Sequence, residues 1–244
     1  MKFLVCIPTY NEAENIERAV RSVLGFDPRP DVLVIDDASP DGTAAIVAEL
    51  AADEDRVHLL NRTAKDGLGG AYLAGFAWAK ERGYDAVGEF DADGSHPADR
   101  LSALLNEIES GAELVIGSRW VRGGEVVDWP RRRKLLSVGG NIYTQAMLGL
   151  GVRDATSGYR VYRMSLLDRM DLGSVVTKGY GFQVDLTRRA VAAGARPVEL
   201  PITFIERELG ESKMSGEIVK EAMSQVTRWG IEKRLRRRVG RSDA

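Results

Sequence analysis

Two aspartates one residue apart, Asp91 and Asp93, stand in the run Glu-Phe-Asp-Ala-Asp-Gly-Ser-His-Pro at residues 89–97. Ala86, Val87 and Gly88 read as a strand before them, and Gly94 and Pro97 turn the chain after them. Two carboxylates at this spacing, just past a strand, can reach one hard cation. Such a cation takes oxygen ligands and completes its shell with substrate phosphates. The competing reading is a solvated acidic turn, and the pair alone does not decide between the two.

The elements around the pair do decide. Residues 3–7, 32–35, 57–60, 86–90 and 113–117 are short apolar runs that read as strands. Helical spacing falls between them, at 12–24, 43–52, 69–82 and 98–110. Strict alternation of this kind implies an α/β fold, a mainly parallel sheet with helices on both faces. Ligands of such sheets bind at the carboxyl ends of the strands. Polar groups gather there: 8–12 after the first strand, Asp36-Asp37 after the second, Asp91 and Asp93 after the fourth, Ser118-Arg119 after the fifth. Four strand ends converging on one edge weigh far more than one acidic pair, and they favour the metal reading.

The second half is less regular. Residues 118–134, with Gly123-Gly124 and the basic run 131–134, read as a mobile loop. Helices follow at 135–150 and 184–193, and Ser157-Gly158-Tyr159-Arg160 leads into a short strand. Pro197 and Pro201 give the strand at 196–203 an edge position. A long amphipathic helix at 218–238 puts Ile218, Val219, Ala222, Met223, Val226 and Trp229 on one face. The chain divides into a catalytic domain, 1–215, and an amphipathic helix with a basic tail, 216–244.

Composition narrows the chemistry. With 244 residues, 44% hydrophobic and 29% charged, the chain reads as soluble and globular. No run approaches the roughly 18 apolar residues that span a bilayer, and no secretory leader is visible. A net charge of −2 excludes a globally basic nucleic-acid binder. The basic runs at 131–134 and 233–241 read as phosphate or anionic-membrane contacts, or as solvated helix ends. Cys6 lies in an apolar run and reads as a core thiol. Two histidines and one cysteine argue against zinc. No Gly-x-Gly-x-x-Gly follows the first strand, and no P-loop is present.

Together, Cys6-Ile7-Pro8-Thr9-Tyr10-Asn11-Glu12, residues 34–43 (Val-Ile-Asp-Asp-Ala-Ser-Pro-Asp-Gly-Thr) and Phe90-Asp91-Ala92-Asp93 resemble the family-two glycosyltransferases of GT-A fold. Gly117-Ser118-Arg119, Trp129-Pro130, Ser157-Gly158-Tyr159-Arg160 and residues 210–214 (Gly-Glu-Ser-Lys-Met) are similar to the polyprenol-phosphate mannose synthases, and the form Asp-Ala-Asp-Gly-Ser-His to their actinobacterial branch. The likeness covers residues 3–235.

The resemblance implies transfer of mannose from GDP-mannose to a polyprenyl phosphate, with inversion and with Mg2+ or Mn2+. Pro8, Tyr10, Glu12, Ile35, Asp37, Gly67, Leu68 and Ala92 would hold the nucleotide sugar, with Arg207 and Lys213 over its diphosphate. Asp91 and Asp93 would hold the metal. Many relatives carry a glutamine ligand two residues after the second aspartate; here the position is Ser95. Arg119, Arg133 and Ser137 would bind the acceptor phosphate, with Arg119 counted beside Asp91 and Asp93 as catalytic. The bland alternatives are a helix-capping Glu12, a turn-forming Asp37, and solvated Arg119, Arg133 and Lys213. Trp120, Trp129 and Trp229 fit either packing or a lipid interface. A lipid acceptor without a spanning helix implies a peripheral enzyme on the cytoplasmic face of the membrane, with the basic tail as membrane contact and room for a separate membrane-anchoring protein. The competing functions are glucose transfer from UDP-glucose and an inert nucleotide-sugar-binding module. A processive polysaccharide synthase is disfavoured, since Gln225 and Trp229 lack the arginine of Gln-x-x-Arg-Trp.

Overall fold

In the computed structural model, which describes residues 1–64, 67–175, 177, 179, 181–206 and 216–242, the apolar runs of the first half build one side of a seven-stranded sheet. β1 (Phe3–Thr9), β2 (Asp31–Asp36) and β4 (Ala86–Glu89) are buried almost throughout, as strands covered on both faces must be. β3 (Val57–Asn61) closes that edge. The connecting helices are α1 (Ile16–Leu24), α2 (Thr43–Asp53) and α3 (Gly67–Glu81), and β1 pairs in parallel with β2 and β4, and β2 with β3. After a 3-10 turn at Ala98–Arg100, α4 (Leu101–Glu109) leads to β5 (Leu114–Ser118).

The second half completes the sheet differently. β6 (Glu125–Val127) and α5 (Arg131–Leu148) precede β7 (Arg160–Arg163), which runs antiparallel between β4 and β5. The chain re-enters at the carboxyl edge after α5, so it can only run back down the sheet. Then come α6 (Met164–Leu167), α7 (Gly181–Ala192), β8 (Val198–Pro201), β9 (Thr203–Ile205) and α8 (Gly216–Ser242). The strand order is β3-β2-β1-β4-β7-β5-β8, with the proline-flanked β8 at the edge. A separate parallel ribbon pairs β6 with β9.

Two expectations need correction. The helix expected at 12–24 starts only at Ile16, because Thr43 and Asp41 side chains accept the amides of Glu12 and Ala13 and hold that segment as a turn. The loop expected at 118–134 contains β6, and its basic run is the first turn of α5. Pro130, at φ −55°, sets the entry to that helix.

Apolar clusters cover both sheet faces. One gathers α1 and α4 over Phe3, Val5 and Val34; the other gathers α3 and α7 over Leu4, Cys6 and Ile35. Gly75 lets α3 approach closely: a Cβ there would lie 2.7 Å from Cys6 Sγ and from Ile35 Cδ1. Burial, and then Glu89, push the Cys6 thiol far above its ordinary pKa, so it is an inert core group.

α8 runs alongside α5. The Tyr143 and Thr227 hydroxyls meet at 2.7 Å, Lys233 Nζ donates to the Leu148 carbonyl, and Val226 joins the core. Val226 and Trp229 of the apolar face of α8 therefore pack on the domain, and Lys233 and Arg234 of the expected membrane tail fold back on α5. Among the described residues no helix is long and apolar enough to cross a membrane.

Candidate active site

The loops after β1 and β2 are stitched into one surface by short polar side chains. Asp36 accepts from the Thr9 hydroxyl (3.0 Å) and from the Ser39 amide and hydroxyl (2.8 and 2.6 Å). The Ser39 hydroxyl in turn accepts the Asn11 amide at 3.0 Å. Asp41 binds the Thr43 hydroxyl and the Ala13 amide. Asp36 is therefore a buried turn brace, and the run 34–43 is spent largely on shaping the loop at 9–13. Asp37 does something else: it lines the cleft at the strand ends, and Arg62 at the end of β3 donates to its carboxylate at 2.9 Å.

The acidic loop is fixed by a histidine. The Asp91 amide donates to His96 Nδ1 at 3.0 Å, which leaves the ring proton on Nε2, 3.6 Å from Asp91 Oδ2. The ring is buried, stacked on Tyr159 at 4.8 Å and edge-on to Phe90. The Tyr72 hydroxyl reaches Asp91 Oδ1 at 3.4 Å, and the Ser95 amide donates to Asp93 Oδ1 at 3.0 Å. Gly94, at φ +76°, makes the turn. Ser95 Oγ is buried, lines the cleft and has no hydrogen-bond partner. Among the described residues no three or more His, Cys, Asp or Glu groups gather to enclose a metal. Two carboxylates with one orphan hydroxyl suit a divalent cation that takes its remaining oxygens from a diphosphate and water.

Beneath the pair lies Glu89, wholly buried, accepting from Gln183 Nε2 at 2.6 Å. Burial pushes its pKa up to about 8 although Arg160 pulls it down. Arg160 is itself buried and donates to the carbonyls of Ser157, Ala155 and Gln183 and to the Thr187 hydroxyl, pinning β7 to α7.

Two arginines line the same cleft as the acidic pair. Arg119, after β5, makes a bidentate pair with Asp154 at 2.8 and 2.7 Å, with side-chain exposures of only 8% and 0%. Burial alone would raise the Asp154 carboxyl, but Arg119 outweighs it and holds it below the ordinary carboxylate range. Arg133, on α5, stacks 4.0 Å over Trp129 and pairs with Glu206. Trp120, Trp129 and Phe204 surround the Arg119 guanidinium within 5.4–5.7 Å. Trp229 instead packs under Arg188.

The strand-end loops, the acidic pair and the two arginines open into one cleft of about 470 Å3. Pro8, Tyr10, Glu12, Asp37, Gly67, Leu68, Asp91, Ala92, Asp93 and Ser95 line it with Arg119, Arg133 and Ser137. Of the expected residues, Ile35 does not: its side chain is buried in the core against α3. Arg207 and Lys213 lie outside the described residues. Sequence reasoning left out His96, Gln183, Thr156, Trp129 and the α8 residues Ala222, Met223 and Val226, which also line the cleft. His96 stood in the quoted acidic motif. The α8 residues stood on the predicted apolar face, and only the packing on α5 shows where that face goes.

Comparisons place this arrangement. The profile described as glycosyl transferase family 2 matches residues 4–171. The chain is 54% identical over 243 residues to an undecaprenyl-phosphate mannosyltransferase of Micrococcus luteus, covering 98% of this chain and 100% of that protein. It is 55% identical over 238 residues to a polyprenol monophosphomannose synthase of Mycolicibacterium smegmatis, covering 97% and 90%. A dolichol-phosphate mannosyltransferase of Pyrococcus furiosus is 33% identical and is covered over 63% of its length. Among solved structures, a mannosyltransferase of Pyrobaculum calidifontis in complex with GDP-Man and Mn2+ superposes with TM-score 0.61 at 20% identity, over 96% of this chain and 64% of that one. Glucosyl-3-phosphoglycerate synthase of Mycobacterium tuberculosis, bound to Mn2+, UDP-glucose and phosphoglyceric acid, gives TM-score 0.66 at 17% identity over 92% and 78%. The structural likenesses speak for the fold, GT-A, and the profile and sequence identities for descent: the chain belongs to glycosyl transferase family 2.

Proposed function

We propose that this chain moves mannose from GDP-mannose to a polyprenyl monophosphate, with inversion at the sugar carbon. One observation carries the reading: the acidic pair and the two arginines share a single cleft that also holds an apolar stretch, Leu136, Ala222, Met223 and Val226. A sugar diphosphate, a second phosphate and an isoprenoid chain each find their own chemistry there. The names of the relatives at 54% and 55% identity agree with it.

In this reading Pro8, Tyr10, Glu12, Asp37, Gly67, Leu68 and Ala92 hold the nucleotide sugar, and Arg62 orients Asp37. Asp91, Asp93 and the Ser95 hydroxyl hold a divalent cation, Mg2+ or Mn2+, which when bound offsets the charge gathering on the leaving diphosphate. Arg119 and Arg133, with Ser137, take the acceptor phosphate; guanidinium forks suit phosphate oxygens. That oxygen is already anionic at neutral pH, so attack needs no strong base, and among the described residues His96 is the one histidine lining the cleft. Asp154 fixes the Arg119 fork before the acceptor arrives, which spares its ordering cost.

The acceptor sits in a bilayer, so the protein works peripherally, at the cytoplasmic face. Leu135 (72% exposed) and Ile142 (65%) stand on the outer side of α5, and Leu135 lies within about one helical turn of Arg131, Arg132 and Lys134. Apolar residues beside cations suit a membrane interface.

The test incubates the protein with Mg2+ or Mn2+, a polyprenyl monophosphate and either GDP-mannose or UDP-glucose. Mannosyl lipid from GDP-mannose is expected; product from UDP-glucose alone overturns the donor, and no product with GDP still bound leaves an inert module. Arg133→Ala is expected to raise the acceptor KM about tenfold or more, with the donor KM little changed.

A further inference from the structure

The two arginines on the acceptor side are held by carboxylates of different kinds. Asp154 is wholly buried, binds Arg119 through both oxygens and also accepts the Arg119 amide at 3.0 Å. Removing it would take both carboxylate hydrogen bonds from a buried guanidinium, so that pair is permanent. Glu206 is another matter. Its side chain is 26% exposed and its partner Arg133 17%, and only Arg133 Nη1 engages it. Arg133 Nε is buried with no hydrogen-bond partner, so Glu206 satisfies only part of the guanidinium. The guanidinium plane is meanwhile fixed by Trp129 at 4.0 Å. Glu206 itself reaches Arg133 from the end of the β9 strand, which the β6–β9 ribbon holds beside the segment leading to Trp129.

From this geometry we infer that Glu206 is a built-in stand-in for the acceptor phosphate, a specificity-determining residue that occupies Arg133 until a phosphate monoester displaces it. The inference rests on the proposed acceptor. A carboxylate oxygen holds one nitrogen of the guanidinium; a phosphate monoester, with nearly twice the charge and three oxygens, can take the Nη1 and Nη2 edge with two parallel hydrogen bonds. A neutral prenol cannot displace the carboxylate. Glu206 thus sets a threshold that anionic acceptors pass and alcohols do not. It also keeps Arg133 neutralised and ordered while the cleft holds no acceptor, so the guanidinium need not be desolvated and positioned anew at each turnover.

The experiment uses the full chain, with farnesyl phosphate as a soluble probe and farnesol as its neutral counterpart. Glu206→Gln keeps shape and hydrogen-bonding capacity but removes the competing charge. Calorimetry without donor or metal is expected to show farnesyl phosphate binding roughly two- to five-fold tighter to the variant than to the unchanged protein, the range that a partly exposed ion pair represents. In turnover the acceptor KM falls by the same factor and kcat stays within about two-fold. In an Arg133→Ala background the same substitution gives no gain. If Glu206 merely braces Arg133, binding weakens and KM rises instead, and that outcome overturns the inference. So do unchanged binding, binding by neither protein, and an equal gain for farnesol. Failure of the unchanged protein to make mannosylated product from farnesyl phosphate or any longer polyprenyl monophosphate would count against the proposed function, while the calorimetric arm still judges Glu206 by itself.

Discussion

Asp93 and Asp154 carry the sharpest consequences of single side chains. Asp93→Ala removes one of two carboxylates available to a cation in the cleft. Turnover is expected to fall about a thousandfold or more, with fold and thermal unfolding nearly unchanged, since Asp93 is only partly buried. A normal rate would remove it from the site. Asp154→Ala does the opposite: it takes the two-oxygen partner from a buried Arg119, and is expected to cost about 3–5 kcal/mol in denaturant unfolding. The pH dependence follows from the same pair. Arg119 holds the folded-state Asp154 below its ordinary value of 3.8, so this contribution is fully present above that value and disappears as pH falls through the lower folded one. Acid unfolding of the unchanged protein should therefore steepen below about pH 4, and Asp154→Asn should flatten that limb; an identical limb in both proteins would contradict the assignment.

At the scale of elements, the close contact of α3 with β1 and β2 governs stability. Gly75→Ala adds a methyl 2.7 Å from Cys6 Sγ and Ile35 Cδ1, so overpacking of about 1–3 kcal/mol is expected to exceed the roughly 1 kcal/mol that alanine gains in a helix. Adding Cys6→Ala to make room should return part of the loss, and a Gly75→Ala protein with a raised melting temperature would refute the packing argument. Elements of this first half were legible in the sequence because parallel strands buried on both faces are continuous apolar runs, and Asp91 and Asp93 were legible because two residues of spacing bring both to one edge. What escaped depends on partners distant along the chain. His96 acquires its role by stacking on Tyr159, Gln183 meets Glu89 across 94 positions, and Glu206 meets Arg133 across 73. The antiparallel entry of β7 escaped as well, since four residues of β7 carry no mark of direction. Ile35 was misjudged because its place next to Asp36 in the motif resembles a binding position, whereas alternation along β2 turns its side chain inward.

For the whole molecule, the question is how a protein without a spanning helix among its described residues meets a lipid. If the outer side of α5 lies on the membrane, replacing Leu135 and Ile142 together by serine should weaken sedimentation with anionic vesicles several-fold, while turnover of a soluble short-chain acceptor stays near normal. Equal sedimentation of both proteins would move the contact elsewhere. The cleft is also divided by chain position. Its acidic end is built by residues 8–96, and its arginine and apolar end almost wholly by residues 119–226; the pairing of β4 with β7, His96 on Tyr159 and Gln183 on Glu89 join the two. On the proposed reading, most of the residues for the sugar nucleotide and those for the lipid phosphate are written in separate stretches of the gene. A recombinant joining the first stretch of one relative to the second of another should inherit its sugar from one parent and its lipid from the other, and a single crossover between codons 97 and 118 would suffice to exchange them.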